Sequence, residues 1–187
     1  MSTATLARTM TVEELDALPE NGKERELIRG ELRERAMTRR NRWHCSIESC
    51  LAQVLKNWLD LLPAPRGKIV SGEAGFRLRR DPDTAVGIDV AYVSAEVVAQ
   101  QPDSPYFEGP PVLAVEILSP SDKQEEIDEK ILVYLESGVA VVWIVNPKLK
   151  TVTVYRREAA PAIYVPGQEL DGVAELPGFR LAVASLF

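Results

Sequence analysis

The sequence predicts an α/β fold, a mixed central β-sheet flanked by helices. Segments with the period-2 alternation of strands take turns with segments of helical spacing. One apolar run, Val112–Leu118, has the length and composition of a strand buried on both faces, and a helical segment follows it almost at once. With 187 residues and 45% hydrophobic content the chain can bury one sizeable core and is short for two. A single domain over residues 1–187 is therefore expected, with about the first ten residues flexible.

Thr11 with Val12, Glu13 and Glu14 fits a capping box and opens a short helix that Pro19 and Gly22 close. Glu24 to Met37 reads as two strands turning at Arg29-Gly30, since glycine accepts the positive φ of a tight hairpin. Arg40 to Leu62 is the long amphipathic helix. Trp43, Ile47, Cys50, Leu51, Val54, Leu55, Trp58, Leu59 and Leu62 recur there at helical spacing, a stripe that reads as core. Strands follow at Lys68–Ser71, Gly75–Arg79 and Val86–Val93, with a turn at Asp81-Pro82-Asp83. A polar loop from Gln100 to Pro111 leads into the apolar run. Ser121 with Gln124 gives a second capping-box pattern, and its helix runs to Gly138 as the C′ residue. Val139–Val145 and Thr151–Arg156 make the last clear pair of strands, joined through Asn146-Pro147.

The formal charge of −6 does not offer the broadly basic surface of a typical nucleic-acid binder. Basic residues nevertheless gather locally as Arg33, Arg35, Arg39, Arg40 and Arg42, which is either a binding patch or a solvated edge. Cys45 and Cys50, with a single histidine in the chain, cannot complete a four-ligand zinc site and read as small buried apolar residues. Met1 to Met10 has no apolar stretch of signal-peptide type, and no segment approaches a membrane span. A cytoplasmic protein without membrane association is the expectation.

The chemically informative anomaly is Glu116, one carboxylate within seven otherwise apolar residues. Burying an unpaired charge costs several kcal/mol or neutralises it, so a cation or strong donor is expected beside it. Asp89 poses the same question between Ile88 and Val90. Two acids on separate buried strands either converge on a divalent metal or act as structural acceptors at strand ends. Lys130, three residues after Ile127 and four before Tyr134, lies on a helix face that includes core candidates and could extend its ammonium toward the acids. Its plainer alternative is a surface pair with Glu126.

The stretch Val115-Glu116-Ile117-Leu118-Ser119-Pro120-Ser121-Asp122, then Glu129-Lys130, Tyr134-Leu135, Gly138-Val139, Val142-Trp143-Ile144-Val145 and Asn146-Pro147, resembles the signature of the Uma-two family of proposed endonucleases. Thr11-Val12-Glu13-Glu14-Leu15, Glu26-Leu27-Ile28, Gly30-Glu31-Leu32, Gly75-Phe76-Arg77-Leu78 and Leu176-Pro177-Gly178-Phe179 match in the same order. The resemblance covers nearly the whole chain and implies the restriction-endonuclease-like, PD-(D/E)XK fold. It also implies that Asp89 is the first motif acid, Glu116 the second, and Lys130 the motif lysine. The common form of the motif has its lysine two residues after the second acid, where this chain has Leu118, so the resemblance points to a lysine that has migrated onto the next helix. Glu26 matches an early acid that could join the metal shell. Ile88 stands where the family usually has proline, and Arg25 where an aromatic is frequent. Glu73 is a possible helper acid. His44, at a position where the family often has histidine, reads more readily as a satisfied helix-terminus or core residue than as a general base.

The activity so implied is hydrolysis of phosphodiester bonds in nucleic acid, DNA first, with Asp89, Glu116 and the backbone carbonyl of Ile117 holding one or two Mg2+ or Mn2+ ions. Lys130 would position water or neutralise charge on the phosphate. Two rivals stand beside it: a catalytically silent binding or scaffold protein on the same fold, and a metal-dependent hydrolase of a smaller phosphorylated substrate. A homodimer is expected, because nucleases that cut both strands often pair about a two-fold axis.

Overall fold

The computed structural model describes residues 9–37, 39–172 and 174–187. The flexibility expected of about the first ten residues falls mostly outside them. The capping box forms: Thr11 Oγ1 accepts from the Glu14 N–H at 3.2 Å, and a Glu14 carboxylate oxygen accepts from the Thr11 N–H at 3.0 Å. Helix α1, Val12–Asp16, is short and seats Val12 and Leu15 against Leu27 and Ala85. Strands β1 (Lys23–Ile28) and β2 (Glu31–Ala36) form the expected hairpin. Arg29 and Gly30 have φ of 52° and 78°, and positive φ at both central positions is what a two-residue hairpin turn of matching twist requires.

Helix α2, Arg42–Leu61, buries Ile47, Leu51, Leu55, Trp58 and Leu59. The cysteines depart from expectation: Cys45 is exposed and Cys50 only partly buried. Cys45 directly follows the buried His44, and one residue turns a side chain well round the helix, out of the buried stripe. The two segments expected at Lys68–Ser71 and Gly75–Arg79 are one strand, β3 (Lys68–Arg79), paired with β4 (Thr84–Val93) through a register shift between Ser71 and Ala74. Gly72 and Glu73, with φ of 85° and 55°, form a bulge that interrupts the alternation without ending the strand.

Strand β5 (Phe107–Glu108) lies where only loop was expected, and helix α3 (Ala95–Ala99) occupies a stretch for which no element was expected, both too short to leave a periodic signal. Strand β6 is Leu113–Ile117, buried as predicted. Helix α4 starts at Gln124 and runs to Glu136; its cap position, Lys123, makes no side-chain hydrogen bond, so the capping box expected from Ser121 does not form. Instead Asp122 accepts from the Ser119 N–H and hydroxyl, and the Ser121 hydroxyl meets that of Ser119. Gly138, φ 101°, ends the helix as expected. Strands β7 (Val141–Asn146), β8 (Thr151–Arg156) and β9 (Ala162–Tyr164) extend the sheet, while β10 (Glu169–Asp171) and β11 (Arg180–Ala182) make a separate two-stranded one before a 3-10 turn, Val183–Leu186.

The sheet is mixed and mostly antiparallel, in the order β2-β1-β4-β6-β7-β8-β9, with β3 also on β4 and β5 on β3. Alternate residues of β6 and β7 feed two cores. Val115, Trp143 and Val145 pack with α2 and with Leu176, Phe179 and Leu186, whereas Ala114, Val142 and Ile144 pack with Ile131, Val133 and Tyr134 of α4. Helices therefore cover both faces, as predicted for this class.

Candidate active site

Strand β4 carries β3 along one edge from Arg79↔Thr84 to Lys68↔Val93. Its other edge carries β1 only at Leu27↔Ala85 and β6 only from Val90 to Tyr92. Between those two contacts β1 and β6 diverge, and residues 86–89 face a fork in the sheet. Backbone groups in such a fork need partners, since an unpaired buried amide or carbonyl is costly. Side chains supply them. Gly87 N–H donates to Glu26 Oε1 at 3.2 Å, Gly87 O accepts from Lys130 Nζ at 3.4 Å, and Ile117 N–H donates to Asp89 Oδ2 at 2.8 Å. The residues singled out in the sequence are thus those that close the gap.

Lys130 is the hub. Its ammonium lies 2.9 Å from Glu26 Oε1 and 3.5 Å from Glu116 Oε1, and its side chain is only 12% exposed. It does not form the alternative pair with Glu126, which binds Arg35 at 3.4 Å and Lys123 at 3.2 Å. One turn along α4, the Tyr134 hydroxyl donates to the same Glu116 oxygen. Asp89 is held by a second donor from α2, His44 Nε2, at 3.1 Å. His44 is 1% exposed, so the chain's single imidazole is a core residue as expected, yet one in contact with the first acid.

These contacts set the protonation equilibria. Burial pushes the Glu116 carboxyl up to about 7; the Lys130 ammonium and the Tyr134 hydroxyl pull it down, while the negative charges of Asp89 and Glu26 push it further up. Burial pulls Lys130 down, but Glu116 and Glu26 outweigh it and hold the ammonium above its ordinary value. His44 is likewise lowered by burial, and raised overall because Asp89 more than compensates. Tyr134 is raised well above the usual phenol value, by burial first and by Glu116 next.

The fork opens into a cleft of about 530 Å³ lined by Glu26, Gly87, Asp89, Glu116, Ile117 and Lys130, with Arg33, Arg35 and Arg40 along its walls. The local basic run is largely neutralised. Arg33 pairs with Glu31 and Glu129, Arg35 with Glu126, and Arg40 with Glu24 and Glu73. Glu73 is thereby assigned to a guanidinium rather than to Asp89 or Glu116. Arg25, where an aromatic was the commoner choice, binds Glu34 and the Leu18 and Pro19 carbonyls, tying the hairpin to the segment after α1. Ile88 is simply core.

Among the described residues no group of three or more His, Cys, Asp or Glu side chains is arranged to hold a metal ion. Mg2+ does not require one, being held commonly by one or two carboxylates, with water and substrate phosphate completing its shell. The hydrogen bonds described above for Asp89 and Glu116 fall on Oδ2 and Oε1, so each carboxylate has a second oxygen, and both residues line the cleft. The donor set fits a hard, oxygen-preferring ion of that kind and does not fit zinc.

Sequence reasoning brought Asp89, Glu116, Ile117, Lys130 and Glu26 to one place and underused two residues. Tyr134 phased a helix and entered the family resemblance but was given no place in the site, although its spacing of four from Lys130 put both on one face. His44 carried no signal of contact with Asp89, which is 45 residues away in sequence.

Residues 12–184 match the Uma2 family, whose description is "Putative restriction endonuclease". A crystal structure from Anabaena variabilis, titled as that of "a putative nuclease belonging to DUF820", superposes with a TM-score of 0.78 over 95% of this chain and 97% of that one. The two are 22% identical, a likeness of fold. No curated protein matches the sequence.

Proposed function

The chain belongs to the Uma2 family, of restriction-endonuclease-like fold, and from that premise and the geometry of the fork we propose that it is a metal-dependent endonuclease hydrolysing phosphodiester bonds of nucleic acid, DNA in the first instance. The observation that carries this reading is the convergence of Asp89, Glu116 and Lys130, from two strands and a helix, on one open cleft. Fork closure alone does not call for two carboxylates and an ammonium; neutral donors and acceptors would satisfy the same backbone groups.

Asp89 and Glu116, with the Ile117 carbonyl, would hold Mg2+ or Mn2+, which when bound polarises phosphate and lowers the pKa of water. The chain's own groups do the rest. His44 and the Ile117 amide fix the Asp89 carboxylate from one side. Tyr134 and Lys130 fix Glu116 from the other. The Lys130 ammonium, kept charged by its two acids, offers a preorganised cation to a phosphate oxygen or to the attacking water, with no reorganisation during reaction. Glu26 holds Lys130 and the Gly87 amide, and so acts on the site through the lysine. One domain spanning the chain and a homodimer in solution belong to the same proposal.

The test is cleavage of DNA with and without Mg2+ by the wild type and by Lys130→Ala. Loss of about 100-fold or more in rate, with metal binding retained, is expected for removal of one preorganised stabilising group. Equal cutting by both proteins would refute the assigned role. A second reading, hydrolysis of a smaller phosphorylated molecule, is favoured by the cleft volume of about 530 Å³, which lies in the range of small-ligand pockets. Nucleotide and sugar-phosphate substrates in the same assay separate the two.

A further inference from the structure

In its first turn α2 exposes an indole. Trp43 is 54% exposed, whereas Trp58 and Trp143 are 7% and 1% exposed. Its placement relative to the cleft is set by its neighbours. Arg40, three residues before, lines the cleft wall, and His44, the next residue, reaches Asp89 at 3.1 Å. Trp43 is thus the chain neighbour of a residue that touches Asp89, but on the helix the two side chains point about 100° apart, His44 into the core and the indole outward.

The segment is also fixed and charged. Asn41 Oδ1 accepts from the Trp43 and His44 N–H groups, each at 3.0 Å, which pins the first turn of α2. The Arg42 guanidinium lies over the indole ring, 4.3 Å from its centroid. Arg39 and Arg42 are exposed, and neither pairs with a carboxylate among the described residues. They differ in this from Arg33, Arg35 and Arg40, each of which faces an acid. In a chain of charge −6, Arg39 and Arg42 are two guanidinium groups without a described carboxylate partner flanking in sequence a half-exposed indole, one face of which Arg42 already covers. A cation for the backbone phosphate and a π-face for the base are the two parts from which single-strand binding surfaces are built. A duplex keeps its base faces inside the stack, whereas an unpaired base leaves them open to an indole.

We propose that Trp43, with Arg39 and Arg42, is a stacking platform that holds an unpaired base beside the Asp89–Glu116 cleft, so that the protein engages single-stranded nucleic acid in preference to duplex. This deepens the nuclease reading and rests on it for the meaning of the cleft, but binding is measurable without turnover.

Metal-free protein, kept so with chelator, is titrated with end-labelled oligothymidylate, oligouridylate and a blunt DNA duplex, each about 12 nucleotides long. Tryptophan emission and anisotropy of the label are read together. Saturable quenching is expected with single strands and absent in Trp43→Phe, which still binds. Trp43→Ala is expected to weaken single-strand binding by about 5- to 150-fold, the range for one base–aromatic stack. Arg42→Ala should lower the slope of log affinity against log salt by about 0.7. The DNA and RNA arms report which sugar is preferred. Unchanged affinity in Trp43→Ala, duplex binding as tight as single-strand binding, or binding without quenching would each overturn the proposal. Cleavage with Mg2+ is measured in parallel. Quenching and binding without any cleavage would leave the platform standing and sink the nuclease reading; cleavage of duplex indifferent to Trp43→Ala would do the reverse.

Discussion

Raising the pH of the metal-free protein should cost it stability between about 4.5 and 7, and Glu116→Gln should remove that cost. The carboxyl of Glu116 titrates at about 7 in the fold, against 4.5 when free of it. A group whose folded pKa lies above its unfolded value binds its proton more tightly in the native state. Its contribution is therefore complete below pH 4.5 and is lost as pH rises through about 7. The difference of about 2.5 units corresponds to roughly 3 kcal/mol, at about 1.4 kcal/mol per unit. With a side-chain exposure of 16% the group is sheltered enough for much of that to be felt. Urea unfolding at pH 4, 5, 6, 7 and 8 with chelator present is the assay, read as the difference between wild type and Glu116→Gln. The difference should change by about 3 kcal/mol across the series, or about 6–12 °C in Tm for a chain of this size. His44 contributes to both proteins alike and in the same direction. Mg2+ should reverse the trend, because it requires the carboxylate and releases the proton. Parallel pH profiles for the two proteins would refute the assignment of a sheltered, protonatable carboxyl to Glu116.

Tyr134→Phe removes a hydrogen bond that favours the Glu116 carboxylate, so metal affinity measured by calorimetry at pH 6 should fall, and less so at pH 8. His44→Ala frees one donor from Asp89 and should weaken Mg2+ binding about 10- to 100-fold, the usual cost of losing a partner that orients a ligand; His44→Gln should restore part of it. Asn41→Ala deletes the α2 cap, and urea unfolding should register a loss of about 1 kcal/mol.

Most of the fold was legible because its strands and helices carry strong local patterns. The Thr11 capping box, the Arg29-Gly30 turn, the stripe on α2 and the apolar run of β6 each depend on residues within a few positions of one another. Where the signal was weaker, expectation failed for physical reasons. The β3 bulge at Gly72-Glu73 looked like a break because one extra residue shifts the alternation. The Ser121 cap gave way to a local Ser119–Asp122 network, which offers the same polar atoms other partners. Cys45 was read by residue type rather than by its angle on the helix.

By itself the sequence determined which side chains are anomalous: an acid in an apolar strand, a second between Ile88 and Val90, and a lysine on a core-facing helix. Such anomalies are visible locally because the cost of burying a charge depends on the residues around it in the chain. Only the tertiary structure decided that they meet. β1 and β6 take different parts of one edge of β4, and the fork between them gathers Glu26, Asp89, Glu116 and Lys130 with partners from α2 and α4. Strand order and the divergence of two neighbours are fixed by packing summed over the whole sheet, and no short stretch of residues encodes that sum.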